Sequence, residues 1–201
     1  MGDPMEDVVA ESAGHDGRPL VHPETLEEWR AWLAVHHARG AGVWVASWRT
    51  ATGRPVIGYE ESVCEALCWG WIDSTAGTID AERSRMWFAP RRATSGWSRP
   101  NKVRVERLLA EGRMQPAGQA ALDTAHANGA WTLLDDVEDL VVPADLAVAL
   151  GSRPDARQHW DAWPPSVRKQ VLTQLVTARK AETRAARIDK YADLAARDAR
   201  P

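Results

Sequence analysis

Between Cys64 and Lys102 the chain gathers most of the residues able to do chemistry, first as CEALCWGWIDS and then as FAPRRATSGWSRPNK. Asp73 follows directly on the apolar run Trp69–Gly70–Trp71–Ile72. A carboxylate at such a boundary can serve as a general acid or base, as a half-buried partner for an arginine, or as the cap of a turn. Arg91 and Arg92 follow Pro90, and two adjacent guanidinium groups can grip a carboxylate or phosphate through paired N–H donors. The same pair also suits a solvated basic surface, and Arg91 suits a structural ion pair with Asp73. Ser95, Trp97, Ser98, Asn101 and Lys102 add hydroxyls, an indole, an amide and an amine to this neighbourhood. Ser98 and Asn101 equally fit the start of a helix, whose first N–H groups need acceptors.

Other groupings carry less chemistry. Cys64 and Cys68 stand at i, i+4 on one helix face with no neighbouring Cys or His to complete a zinc set, and they read as buried thiols. Two cysteines cannot build a disulfide framework. His36 and His37 are adjacent, so their rings leave a helix on different sides and do not form a metal pair. The sequence has no glycine-rich phosphate loop, no G-x-S-x-G turn and no H-E-x-x-H. Neither a metal nor a cofactor is expected. The aromatic residues are unusual: 11 Trp against one Phe and two Tyr. Most belong in a core, and the number leaves several to line a cavity.

The elements that position these residues follow from periodicity. Thr25 and Glu28 have capping-box spacing, and Leu26, Trp29 and Leu33 mark a helix running to about Ala38. Residues 42–50 alternate, Val43, Val45 and Ser47 against Trp44, Ala46 and Trp48, which predicts a half-buried strand. Tyr59–Trp69 reads as a helix closed by Gly70, and Trp71–Asp73 and Arg85–Pro90 as two further short strands. Beyond Ser98 the chain reads as helical, ending in one long stretch from about Ser166 to Ala196. The expected class is α+β: a small antiparallel sheet of about three strands packed against a mainly helical C-terminal half. Residues 1–20, acidic and without periodicity, read as a disordered arm. Residues 21–201 read as a single domain whose last part, from about 143, is a helical subdomain.

The chain has 201 residues, a formal charge of −3 and 26% charged residues, an ordinary globular balance. That near-neutrality is uneven. Residues 1–28 carry eight acids against one arginine, whereas residues 82–113 carry nine Lys or Arg against three acids. Strong overall basicity is absent, which disfavours nucleic-acid binding except through the basic middle. No apolar run approaches the ~20 residues of a membrane span, and the acidic N-terminus does not read as a secretory signal. A cytoplasmic location without membrane insertion is expected; the oligomeric state is open.

One set of motifs runs through the chain in order: WRAWL at 29–33, GVW at 42–44, YEESVCEALCWGWID from Tyr59 to Asp73, and Phe88–Ala89–Pro90–Arg91–Arg92. It continues with Ser95-x-Trp97–Ser98, Asn101, Glu111–Gly112–Arg113–Met114, Gly129-x-Trp131, Pro143-x-Asp145–Leu146 and Glu182–Thr183–Arg184. Through these, from Trp29 to about Leu194, the sequence resembles the YdeI/OmpD-associated family of bacteriocin-protection proteins. Trp69, Ser74 and Pro100 stand where that pattern has Phe, Gly and an aliphatic residue. The resemblance implies protection against toxic peptides or stress and supplies no catalytic residues. The resulting expectation is a protection protein that binds a small or peptidic toxic ligand in a Trp-lined pocket. Asp73, Arg91 and Asn101 would fix its polar groups beside Arg92, Ser95 and Ser98, and Trp69, Trp71, Trp87 and Trp97 would cover its apolar body. The alternative is a cofactor-independent enzyme (hydrolysis, ring opening or cyclisation) with Asp73 as general acid or base and Arg91 steadying negative charge.

Overall fold

The computed structural model describes Val9, residues 11–14 and residues 16–201. The chain divides into two compact units. One holds the described residues up to Ser95 together with Pro100–Asn128, and the other holds Gly96–Arg99 and Gly129–Pro201. The first eight residues of the expected arm lie outside the described residues.

The first unit is built on a sheet of five strands among the described residues: β1 (Ser12–Ala13), β2 (Pro19–Val21), β3 (Val43–Trp48), β4 (Trp71–Thr78) and β5 (Arg83–Pro90). Their order is β1-β2-β3-β5-β4, with β2 parallel to β3 and every other pair antiparallel. This corrects the expected antiparallel sheet of about three strands. The added strands are two and three residues long, too short to show alternation, and owe their conformation to their neighbours. A parallel pair needs a crossover, and helix α1 (Leu26–His36) supplies it between β2 and β3. The Thr25 hydroxyl caps α1 by accepting the Glu28 N–H at 3.1 Å, while the Glu28 carboxylate reaches back to the Glu24 N–H at 2.7 Å.

Three more helices complete this unit: α2 (Tyr59–Cys68), α3 (Arg99–Ala110, counted here from Pro100) and α4 (Pro116–Asn128). Strand register sorts the side chains onto two faces. Val43, Phe88, Trp71 and Asp73 share the face that meets α1, where the Trp29 ring lies 5.3 Å from Phe88 and Trp32 meets Trp71 edge-on at 5.7 Å. Trp44 and Trp87, paired across β3 and β5 with centroids 5.2 Å apart, occupy the other face. The first four residues of β3, Val43, Trp44, Val45 and Ala46, are all core, so this stretch is buried on both faces rather than on one. Gly42 is required beside it, since a Cβ there would sit 2.5 Å from the Phe88 carbonyl oxygen.

A buried carboxylate ties the helices together. Glu65, on α2 and 3% exposed, accepts two N–H bonds from Arg30 of α1 at 3.0 and 3.1 Å and one from Arg113 at 3.2 Å, just ahead of α4. Gly70, at φ +76°, turns the chain from α2 into β4, and a Cβ there would meet the Ala117 carbonyl oxygen of α4 at 3.1 Å.

The second unit is helical: α5 (Asp135–Glu138), α6 (Ala144–Gly151), α7 (Ala156–Ala162), α8 (Pro165–Val176) and α9 (Ala181–Ala196). The single long helix expected over 166–196 is broken at residues 177–180. Leu172 and Ala192 belong to one core cluster, yet a straight helix would hold residues 20 apart about 30 Å from each other. The break lets both stripes reach the same core. No helix among the described residues is long and apolar enough to cross a membrane.

The Trp71 side chain is wholly buried against Trp32 and the His37 carbonyl just past α1, whereas Trp87 is only half-buried. Trp71→Ala is expected to cost about 3–5 kcal/mol of stability by urea denaturation, and Trp87→Ala markedly less. Equal losses would contradict the assignment of Trp71 to the core.

Candidate functional site

Asp73 sits on β4 immediately before a bulge that shifts the register between Asp73 and Ala76. Its carboxylate accepts the Tyr59 hydroxyl at 2.9 Å. Tyr59 opens α2 and is 52% exposed, so the pair is accessible. The Arg104 guanidinium lies 5.8 Å from the Tyr59 ring centroid. It donates to the Asn101 side-chain oxygen at 2.7 Å and to Glu60 at 2.7 and 2.9 Å. Arg107 donates to Glu60 at 3.1 Å and to the Cys64 sulfur at 3.0 Å. Asp73 and Asn101, 28 positions apart, are thus linked through Tyr59 and Arg104.

Arg91 leaves the end of β5, its backbone N–H donating to the Gly70 carbonyl at 2.9 Å. Burial pushes its guanidinium down to about 10, against the pull of the nearby Asp73 charge, and the group stays cationic at neutral pH. One of its nitrogens makes a long contact of 3.5 Å to the Ser95 carbonyl. Ser95 also donates its backbone N–H to the Arg92 carbonyl, closing a turn, and Arg92 is exposed. Trp69 flanks the Gly70 anchor with its ring 4.7 Å from that of His37, and its indole N–H is buried without an acceptor.

The remaining expected site residues are placed elsewhere. Trp71 donates its indole N–H to the His37 carbonyl at 2.9 Å within the core of the first unit. Trp87 belongs to the opposite face of the sheet, beneath the Arg18 guanidinium at 5.1 Å. Trp97 and Ser98 fall within the second unit, where Trp97 packs 5.3 Å from Trp131. Sequence reasoning missed Tyr59, Glu60 and Arg104. The one available signal was that Asn101 and Arg104 share a helix face at i, i+3.

Electrostatics distinguish these groups. Hydrogen bonds from Arg104, with others from Cys64 and Arg107, hold Glu60 down at about 2. Burial first, and the bond to Asp73 second, raise the Tyr59 phenol above its ordinary value. Burial also pushes the Cys68 thiol up to about 11 and raises Cys64, so neither thiol is a nucleophile at neutral pH. Among the described residues no group of three His, Cys, Asp or Glu could hold a metal.

The chain belongs to the family described as a domain of unknown function (DUF8412), whose model matches residues 21–121. Residues 139–198 match a second family, described as Bacteriocin-protection, YdeI or OmpD-Associated, the one that the sequence motifs resemble. The match to that family thus lies in the second unit, and the Asp73 constellation lies in the stretch covered by the first model. No curated protein and no solved structure matches the chain.

Two titrations check the constellation. One of the two tyrosines should ionise above pH 10 by ultraviolet absorbance, and Asp73→Asn should bring it down; an unmoved phenol would contradict the Tyr59–Asp73 bond. The depressed Glu60 favours the folded state above pH 4.5, a contribution lost as pH falls toward about 2. Carboxyl NMR should find Glu60 titrating near that value, and nearer 4.5 in Arg104→Ala.

Proposed function

We propose that this is a cytoplasmic protection protein that binds a small or peptidic toxic ligand one to one. The protective theme rests on the family match over residues 139–198. The binding site in this reading is the constellation of Asp73, Tyr59, Arg91, Arg104 and Asn101. The observation that carries it is the accessible Tyr59–Asp73 pair at 2.9 Å, with an arginine against the phenol ring and a desolvated Arg91 that feels the Asp73 charge. Such a set offers a carboxylate acceptor, a phenol and the Arg91 cation, with the Tyr59 ring as apolar surface. A ligand carrying both an amine and a carboxylate, as peptides and amino-acid derivatives do, would satisfy both signs of charge.

The second reading is the cofactor-independent enzyme. The same Tyr59–Asp73 pair favours it, because a phenol donating to a carboxylate is a ready proton relay. Native mass spectrometry of the protein in a metabolite extract of its own organism separates the two. Retention of a compound of unchanged mass, lost in folded Asp73→Asn and Arg104→Ala variants, is the expected result. Conversion of excess compound by a small amount of protein, abolished in Asp73→Asn, would replace binding with catalysis. Retention unaffected by either substitution would move the site away from this constellation.

A further inference from the structure

We propose that the second unit carries a binding site of its own, an anchor pocket for one apolar side chain flanked by positive charge on a peptide. It does not depend on the Asp73 constellation. The cavity lies between α5, the start of α6 and α8, with a volume of about 220 Å³ and walls of Val137, Val141, Pro143, Leu172, Leu175 and Val176. Sites for whole small molecules run to ~300–1,000 Å³, so this one takes a side chain rather than a complete ligand.

Charge at the rim selects the flanking residues. Two charged groups border the cavity, Asp136 and Arg184. Arg184 is already satisfied: it donates to both Asp145 oxygens, at 2.7 and 3.0 Å, and to the Leu175 carbonyl at 2.9 Å. The exposed Asp136 carboxylate has no ion-pair partner among the described residues, and its backbone carbonyl accepts the Val141 N–H at 2.8 Å. The mouth therefore presents one uncompensated negative charge beside an apolar hollow, the complement of a lysine or arginine next to a leucine-like residue.

The mouth is also preformed. Leu140 holds φ at +58°, a left-handed conformation that residues bearing a Cβ avoid. This turn brings Val141, 48% exposed, onto the rim and ties it to Asp136. The turn is the closing cap of α5, in which the Leu140 N–H also donates to the Val137 carbonyl at 3.1 Å. The larger cleft between α6 and α9, about 490 Å³, presents no uncompensated carboxylate, because Asp145 is bound by Arg184 and Asp189 by Arg153.

Methyl NMR of the full chain, titrated with blocked pentapeptides, tests the site. A Gly-Lys-Leu-Lys-Gly peptide should shift the methyl signals of Val141, Leu172 and Val176 at millimolar concentration. Replacing its leucine by glycine should abolish the shifts. Replacing both lysines by glutamate should weaken binding about five-fold, as should Asp136→Lys in the protein, since each exchanges an exposed attraction for a repulsion. Asp136 is exposed, so that variant folds, which its methyl spectrum will show. Absence of shifts at these methyls, or equal binding of the lysine and glutamate peptides, would overturn the proposal.

Discussion

The first unit depends on a charge taken out of water. Burying a carboxylate costs several kcal/mol unless it is paired and its lone pairs are filled. Glu65 meets that condition with three N–H donors from two arginines. Because Arg30 belongs to α1 and Arg113 precedes α4, satisfying Glu65 fixes α2 against both. The consequence reaches both ends of α2. Tyr59 at its start is brought to Asp73, and Trp69 at its end is brought to His37. The ion pair is thus less a source of net stability than a constraint on where a ten-residue helix can lie.

Helices of this chain were legible where local chemistry determines them. Thr25 and Glu28 announce α1, Gly70 announces the end of α2, and both elements end within about two residues of expectation. Strands β1 and β2 were not legible, because two- and three-residue strands exist only through the partners beside them. The break before α9 left a subtler trace. From Leu175 to Ile188 is thirteen positions, and at about 100° per residue these two would fall on opposite faces of a continuous helix. Their presence in one core cluster requires the helix to turn back, so the phase of the stripe held information that its periodicity concealed.

The candidate constellation was legible only in part. Asp73, Arg91 and Asn101 stand out as polar residues among aromatics. Their partners do not, because Tyr59 reaches Asp73 across 14 positions and Arg104 reaches Glu60 across 44. Such contacts depend on how α2 lies over β4, which no local pattern encodes. The tryptophans show the reverse. Alternation along β5 already sets Trp87 against Phe88, and that opposition is what places Trp87 and Trp71 on different faces of the sheet. Apolar rings close in sequence are therefore shared out between two surfaces.

The sheet's margins have a consequence for association. Exposed strand edges invite pairing with a second chain, and proteins guard against this with short or irregular edge strands. Here one margin is β1, two residues long, and the other is β4, interrupted by the bulge after Asp73. Among the described residues neither margin presents a long regular ladder. The irregularity that carries Asp73 thereby also discourages strand-to-strand polymerisation, so a replacement that straightened β4 would trade away protection from aggregation as well as the local geometry of the carboxylate.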